Sequence, residues 1–133
     1  MAAFGSVFMP EMAMARFDGS AWQQPAIAPS DSISLHPGAH VLHYASTCFE
    51  GLKAFRHEDG SVAIFRMDKN VARLAQSSEL LSLPKIDGAM LSKMIVDIVK
   101  HYAADVPNPP GSMYIRPTHI GTEASIGKAA APS

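Results

Sequence analysis

The sequence predicts an α+β fold, a mainly antiparallel sheet with two helices packed on it. Three observations carry that prediction: an alternating hairpin over residues 51–66, two consecutive segments with helical apolar spacing between residues 68 and 102, and a last apolar run from Met113 to Ile120. With 133 residues, 47% hydrophobic and 17% charged, the chain has material for one compact core and too little for two.

Taken in order, Val7 to Phe17 alternates loosely and is expected as a strand, with Asp18-Gly19 as its turn and Trp22 capping the arm that follows. Gln23 to Ser30 contains Pro25 and Pro29 and is expected as an extended connection. Ser32-Ile33-Ser34-Leu35 alternates polar with apolar and predicts a short strand ended by His36-Pro37-Gly38. Gly51 to Arg56 then places Leu52 and Ala54 on one face and Lys53 and Phe55 on the other. A Glu58-Asp59-Gly60 turn, with Gly60 free to take a positive φ, returns the chain as Val62 to Arg66.

Asp68 is expected to cap a first helix presenting Val71, Leu74, Ser78 and Leu81, closed off by Pro84. Asp87 is expected to cap a second, whose Met90, Leu91, Met94, Ile95, Ile98, Val99 and Tyr102 form a broad buried stripe. Three prolines between Asp105 and Gly111 break it. Met113 to Ile120 is expected as the final strand, with Pro117 marking an edge or bulge.

Composition excludes several function classes. Lys plus Arg total 11 against 12 for Asp plus Glu, so there is no basic field to hold nucleic acid or anionic lipid. No apolar run approaches the roughly 20 residues that span a bilayer, and Pro10 and Glu11 break the N-terminal segment, which lacks the features of a signal peptide. Cys48 is the single cysteine, which fits a reducing compartment, so a cytoplasmic location is expected. The small-residue tail GKAAAPS reads as the start of a linker, which divides the chain into a domain over 1–127 and a linker over 128–133 and points to a fragment of something longer.

Few residues offer chemistry on their own. The six histidines include no metal-binding spacing, and His36, His40 and His43, across a loop and strand start, read as structural or surface groups; no metal is expected. Cys48 reads as a buried inert thiol rather than a nucleophile. Arg66 ends an apolar strand and Arg116 sits within one. A guanidinium there needs either a structural carboxylate partner or an anionic ligand, for which its planar fork is suited, and both readings stay open at this point.

Three segments carry a family resemblance: LHYASTCFEGLKAFR (Leu42 to Arg56), IFRMDKNVARL (Ile64 to Leu74) and MYIRPTHIGTEASIGK (Met113 to Lys128). They resemble the small, N-terminal domain of branched-chain amino acid aminotransferases, class IV enzymes that use pyridoxal 5'-phosphate (PLP). The combination of FEGLKAF with GTEASIG is a poorer fit to the related D-amino acid aminotransferases and aminodeoxychorismate lyases. The resemblance implies transfer of the amino group of leucine, isoleucine or valine to 2-oxoglutarate, by a homodimer acting on small amino acids and 2-oxo acids.

Carried onto this sequence, the resemblance implies that Arg66 binds the PLP phosphate. It implies that Tyr44 and Phe49 wall the substrate pocket, and that Tyr114 and Arg116 face the site, the arginine accommodating glutamate's distal carboxylate. Gly51 would allow close packing beside the cofactor, and Lys53 falls where relatives have a basic residue. Ile126 and Lys128 would reach the partner subunit's pocket, where relatives usually have valine in place of Lys128. The lysine that holds PLP belongs to a large second domain beyond residue 133, so no catalytic residue is assigned within this chain and the fragment alone is expected to be inactive. The alternative, from a different class, is a free-standing non-catalytic module that binds a partner or dimerises.

Overall fold

A computed structural model of the chain describes residues 3–127. The order is β1 (Glu11–Met14), β2 (Ala26–Pro29), α1 (His40–Tyr44), β3 (Thr47–Phe49), β4 (Leu52–Arg56), β5 (Val62–Ile64), α2 (Met67–Leu80), α3 (Gly88–His101), a 3-10 turn (Ala103–Asp105), β6 (Met113–Ile115) and β7 (Thr118–Ile120). Every pairing between these strands is antiparallel, so the α+β expectation holds. The strands form three small sheets, β1-β2, β3-β7 and β5-β4-β6, rather than one.

The β4–β5 hairpin forms as its local pattern dictates. Gly60 takes φ +86° in the turn, and Ala54 pairs with Ile64. Leu52 and Ala54 are buried while Lys53 and Phe55 stay exposed. The inward face meets the helices: Leu52, Val71, Leu74, Leu91 and Ile95 form the core cluster, with Ile64, Met67, Ile86 and Ile115 packed around it. Each of those buried side chains contributes about 1.5–3 kcal/mol relative to exposure. Asp87 caps α3 as expected, its carboxylate accepting hydrogen bonds from the amides of Ala89 and Met90.

Several local expectations are corrected. Residues 23–30 are not a mere connection: Ala26–Pro29 pairs with β1, and Pro29 is tolerated because it closes an edge strand. Residues 32–35 form no strand, since no neighbouring segment offers them a ladder. The histidine segment is a helix rather than a strand start. It ends at Ala45, in the left-handed region at φ 51°. Asp68 does not cap α2; Arg66 occupies that position at φ 51°, and Asp68 sits in the first turn, where its charge suits the positive helix end. Leu81 lies past the end of α2 and is exposed.

The most consequential difference is at Pro117. The expected last strand divides into β6, which pairs with β4, and β7, which pairs with β3. Proline has no amide to donate, so the ladder cannot run through it, and the chain changes sheets there. Arg116 therefore lies at a junction between strands rather than inside one.

Candidate functional site

One face of the three-stranded sheet is covered by helices, and the other is open. Cross-strand partners share a face, and Lys53 of β4 is paired with Tyr114 of β6. On the other side of β4, the Phe65 amide reaches the Lys53 carbonyl at 3.5 Å, which extends this row beyond β5. The open face thus carries Phe65, Lys53 and Tyr114 across three strands, with Arg66 just past one edge and Arg116 just past the other. Two strand spacings separate those edges, about 10 Å.

Tyr114, Arg116 and Phe49 come together at the β6 edge. Nε and Nη2 of Arg116 donate to the Tyr114 hydroxyl at 3.2 and 2.8 Å, and the guanidinium lies 4.1 Å from the Phe49 ring centre. Such a cation over an aromatic face is worth about 0.5–1 kcal/mol where solvent reaches it. Among the described residues no carboxylate lies within 4.0 Å of Arg116, so the structural ion-pair reading of its sequence position finds no partner. Gly51 makes the arrangement possible: a Cβ there would lie 2.1 Å from the Tyr114 hydroxyl. Phe4 adds an edge-on ring to Tyr114 at 5.0 Å, a contact that sequence reasoning did not single out.

Arg66 stands apart from this cluster. Its side chain is exposed and 3.7 Å from the equally exposed Asp68, an ion pair of little energetic weight. It sits at the N-terminus of the 14-residue α2, where a guanidinium and a helix's positive end together suit an anion such as a phosphate. Tyr44 and Ile126 form a third group, the tyrosine hydroxyl donating to the Ile126 carbonyl. Lys128 lies outside the described residues.

Sequence reasoning missed a set of residues behind the open face. Glu50, between Phe49 and Gly51, is buried, and its carboxylate accepts from Arg73 (Nη2 at 2.8 Å, and Nε) and from Asn70 Nδ2 at 2.9 Å. Hydrogen bonding from Arg73 holds the Glu50 pKa at about 2. A carboxylate between two apolar strand segments was the available signal, together with an Asn and an Arg three apart on one helix face. A second buried polar pair joins Ser78 Oγ to His119 Nδ1 at 2.9 Å, and burial pushes His119 below its ordinary value.

No family model matches the chain. It is 41% identical over 126 residues to the mouse cytosolic branched-chain-amino-acid aminotransferase, covering 93% of this chain and 33% of that protein. Branched-chain-amino-acid transaminase 1 of Bacillus subtilis is 39% identical over 132 residues, 98% of this chain and 37% of the relative. Among solved structures, the T.th. branched-chain amino acid aminotransferase superposes with a TM-score of 0.65 at 26% identity, over 79% of this chain and 33% of that one. That enzyme is complexed with N-(5'-phosphopyridoxyl)-L-glutamate, and in another structure with 4-methylvaleric acid. The chain spans about a third of the length of the curated relatives it matches. Along nearly its whole length the chain is similar in sequence to branched-chain aminotransferases, and its α+β fold is that of their small domain.

Proposed function

We propose that this chain is the small domain of a PLP-dependent transaminase that moves the amino group of leucine, isoleucine or valine to 2-oxoglutarate. The observation that carries the reading is the open sheet face, with Arg116 in contact with both Tyr114 and Phe49 at one edge and Arg66 at the other. Bound PLP would supply the electron sink that such an amino transfer needs. The donor set fits the cofactor's anionic end, because Arg66 and the start of α2 offer a charge-assisted contact to a phosphate.

The remaining roles follow from side-chain chemistry. A pocket that takes branched apolar side chains calls for aromatic walls, which Phe49, Tyr114 and Tyr44 supply. The same pocket must accept glutamate's distal carboxylate, and Arg116 is the cation placed to meet it. When the substrate is apolar, the guanidinium keeps its place on Phe49 and its hydrogen bonds to Tyr114, which hold it at the edge of the site. The T.th. relative, solved both with a glutamate adduct and with 4-methylvaleric acid, supports this double use.

The lysine that holds PLP and moves the proton is assigned to a second, larger domain outside residues 1–133, and residues 128–133 to the connection toward it. The assembly is read as a cytoplasmic homodimer in which Ile126 approaches the partner's pocket. Titration of the protein, at the length its gene encodes, with PLP tests the reading. We expect tight binding with leucine–2-oxoglutarate transamination, and an Arg66→Ala variant with PLP affinity weakened by about 2–3 kcal/mol. A protein that neither binds PLP nor transaminates would support the non-catalytic module instead.

A further inference from the structure

Phe49, Arg116 and Arg66 are all exposed and make few contacts of their own, yet the site needs them at fixed places. Glu50 touches the element behind each. Its carboxylate binds Arg73 and Asn70 of α2, the helix that Arg66 begins. Its backbone amide donates to the Pro117 carbonyl at 3.0 Å, one residue past Arg116. It is itself the neighbour of Phe49, and Asn70 Nδ2 also reaches the Gly51 carbonyl at 3.3 Å.

We propose that Glu50, with Asn70 and Arg73, is a positioning strut that ties the Phe49–Gly51 turn, the Arg116–Pro117 junction and the Arg66 end of α2 into one rigid unit. The inference rests on the functional reading above and adds residues which that reading does not use. Among the described residues, none of the three makes a side-chain hydrogen bond or ion pair to Arg66, Phe49 or Arg116. Each acts through the backbone it fixes.

The carboxylate is well matched to this task. Planar and doubly accepting, it takes two parallel donors from the Arg73 fork and a third from Asn70, which fixes the direction of approach as well as the distance. Burial removes the competition of water on the glutamate side. An apolar residue at position 50 could fill the space and would leave the turn free to slide along α2. The backbone bond to Pro117 matters for a different reason: it spans the gap between the β4–β6 and β3–β7 ladders, and so restrains Arg116 where neither sheet does.

The test uses the protein at its natural length, with Glu50→Gln, Asn70→Ala and Arg73→Lys variants. For each, the PLP dissociation constant and the KM and kcat for glutamate and leucine are measured well below the melting temperature. We expect the PLP dissociation constant to rise about tenfold in Glu50→Gln and about threefold in the other two, with KM for glutamate rising more than kcat falls. Arg73→Lys, which keeps the charge and loses the fork, should resemble Asn70→Ala rather than the unmodified protein. A purely structural role predicts lower melting temperatures with unchanged PLP affinity and KM in the folded fraction, and that result would overturn the strut. If Glu50→Gln does not fold, the other two variants carry the same comparison, and unchanged constants in both overturn it equally. An unmodified protein that fails to bind PLP overturns the functional reading and the strut together, whereas normal binding in all variants overturns the strut alone.

Discussion

The guanidinium carbon of Arg116 lies 4.1 Å from the centre of the Phe49 ring, so a cation from the β6–β7 junction rests on an aromatic side chain of β3. This contact joins an apolar wall to a charge within one site. In the functional reading it is what lets one pocket serve leucine and glutamate.

Arg116→Gln, made in the protein at its natural length, should therefore separate the two substrates. We expect kcat/KM for glutamate to fall by one to two orders of magnitude, about 1.4–2.8 kcal/mol, with leucine changed by less than about threefold. Kinetics of both half-reactions with a melting curve beside them check this. Equal losses for the two amino acids and a lowered melting temperature would return Arg116 to a structural role.

Gly51→Ala should act through Tyr114. The added Cβ would lie 2.1 Å from the hydroxyl, so the ring must move, and the Arg116 hydrogen bonds move with it. The obstacle is the far end of a side chain at a half-open surface, so the expected stability cost is modest, about 1 kcal/mol or slightly more. The KM for glutamate should rise by a larger factor than that for leucine, and chemical denaturation with steady-state kinetics compares the two effects.

Acid should destabilise the fold in two windows. Native His119 stays neutral while the unfolded chain takes up a proton near pH 6.5, so stability falls as pH drops from there toward the lowered native value. Ser78 and Trp22 face the ring, and Cys48 is its cross-strand partner, so no carboxylate among these neighbours offsets the effect. Glu50 acts lower: its native pKa of about 2 lies below the ordinary 4.5, so its contribution is complete above pH 4.5 and is lost toward pH 2. That contribution is on the order of 2 kcal/mol once solvent screening at the exposed Arg73 is allowed for. Urea unfolding across pH should show the upper step vanish in His119→Gln and the lower step vanish in Glu50→Gln.

How much was legible in the sequence follows from how local each signal was. The hairpin over β4 and β5 and the capped α3 depend on residues within a few positions of one another, and both formed as expected. Strand β2 was missed because its partner, β1, lies more than ten residues back and its prolines argued against a strand. The single strand expected over residues 113–120 failed for a tertiary reason: Pro117 hands the chain from β4 to β3 as partner, which no local pattern reports. At the site, Arg66 and Arg116 drew attention unaided, as guanidiniums on apolar strands, and Tyr114 did so only through the family resemblance. Phe49, Tyr44 and Ile126 came forward only through the family resemblance. Glu50 escaped because its partners lie 20 and 23 residues away on α2.

The central claim is that this chain is the small domain of a branched-chain transaminase, and a domain exchange tests it most directly. Residues 1–127 would replace the matching segment of the Bacillus subtilis transaminase 1, to which the chain is 39% identical. The 133-residue chain alone would be assayed beside the chimera. The chimera should bind PLP and transaminate leucine with 2-oxoglutarate, and the isolated chain should show no turnover. Turnover by the rigorously purified chain alone, or a folded, PLP-loaded chimera without activity, would contradict the account.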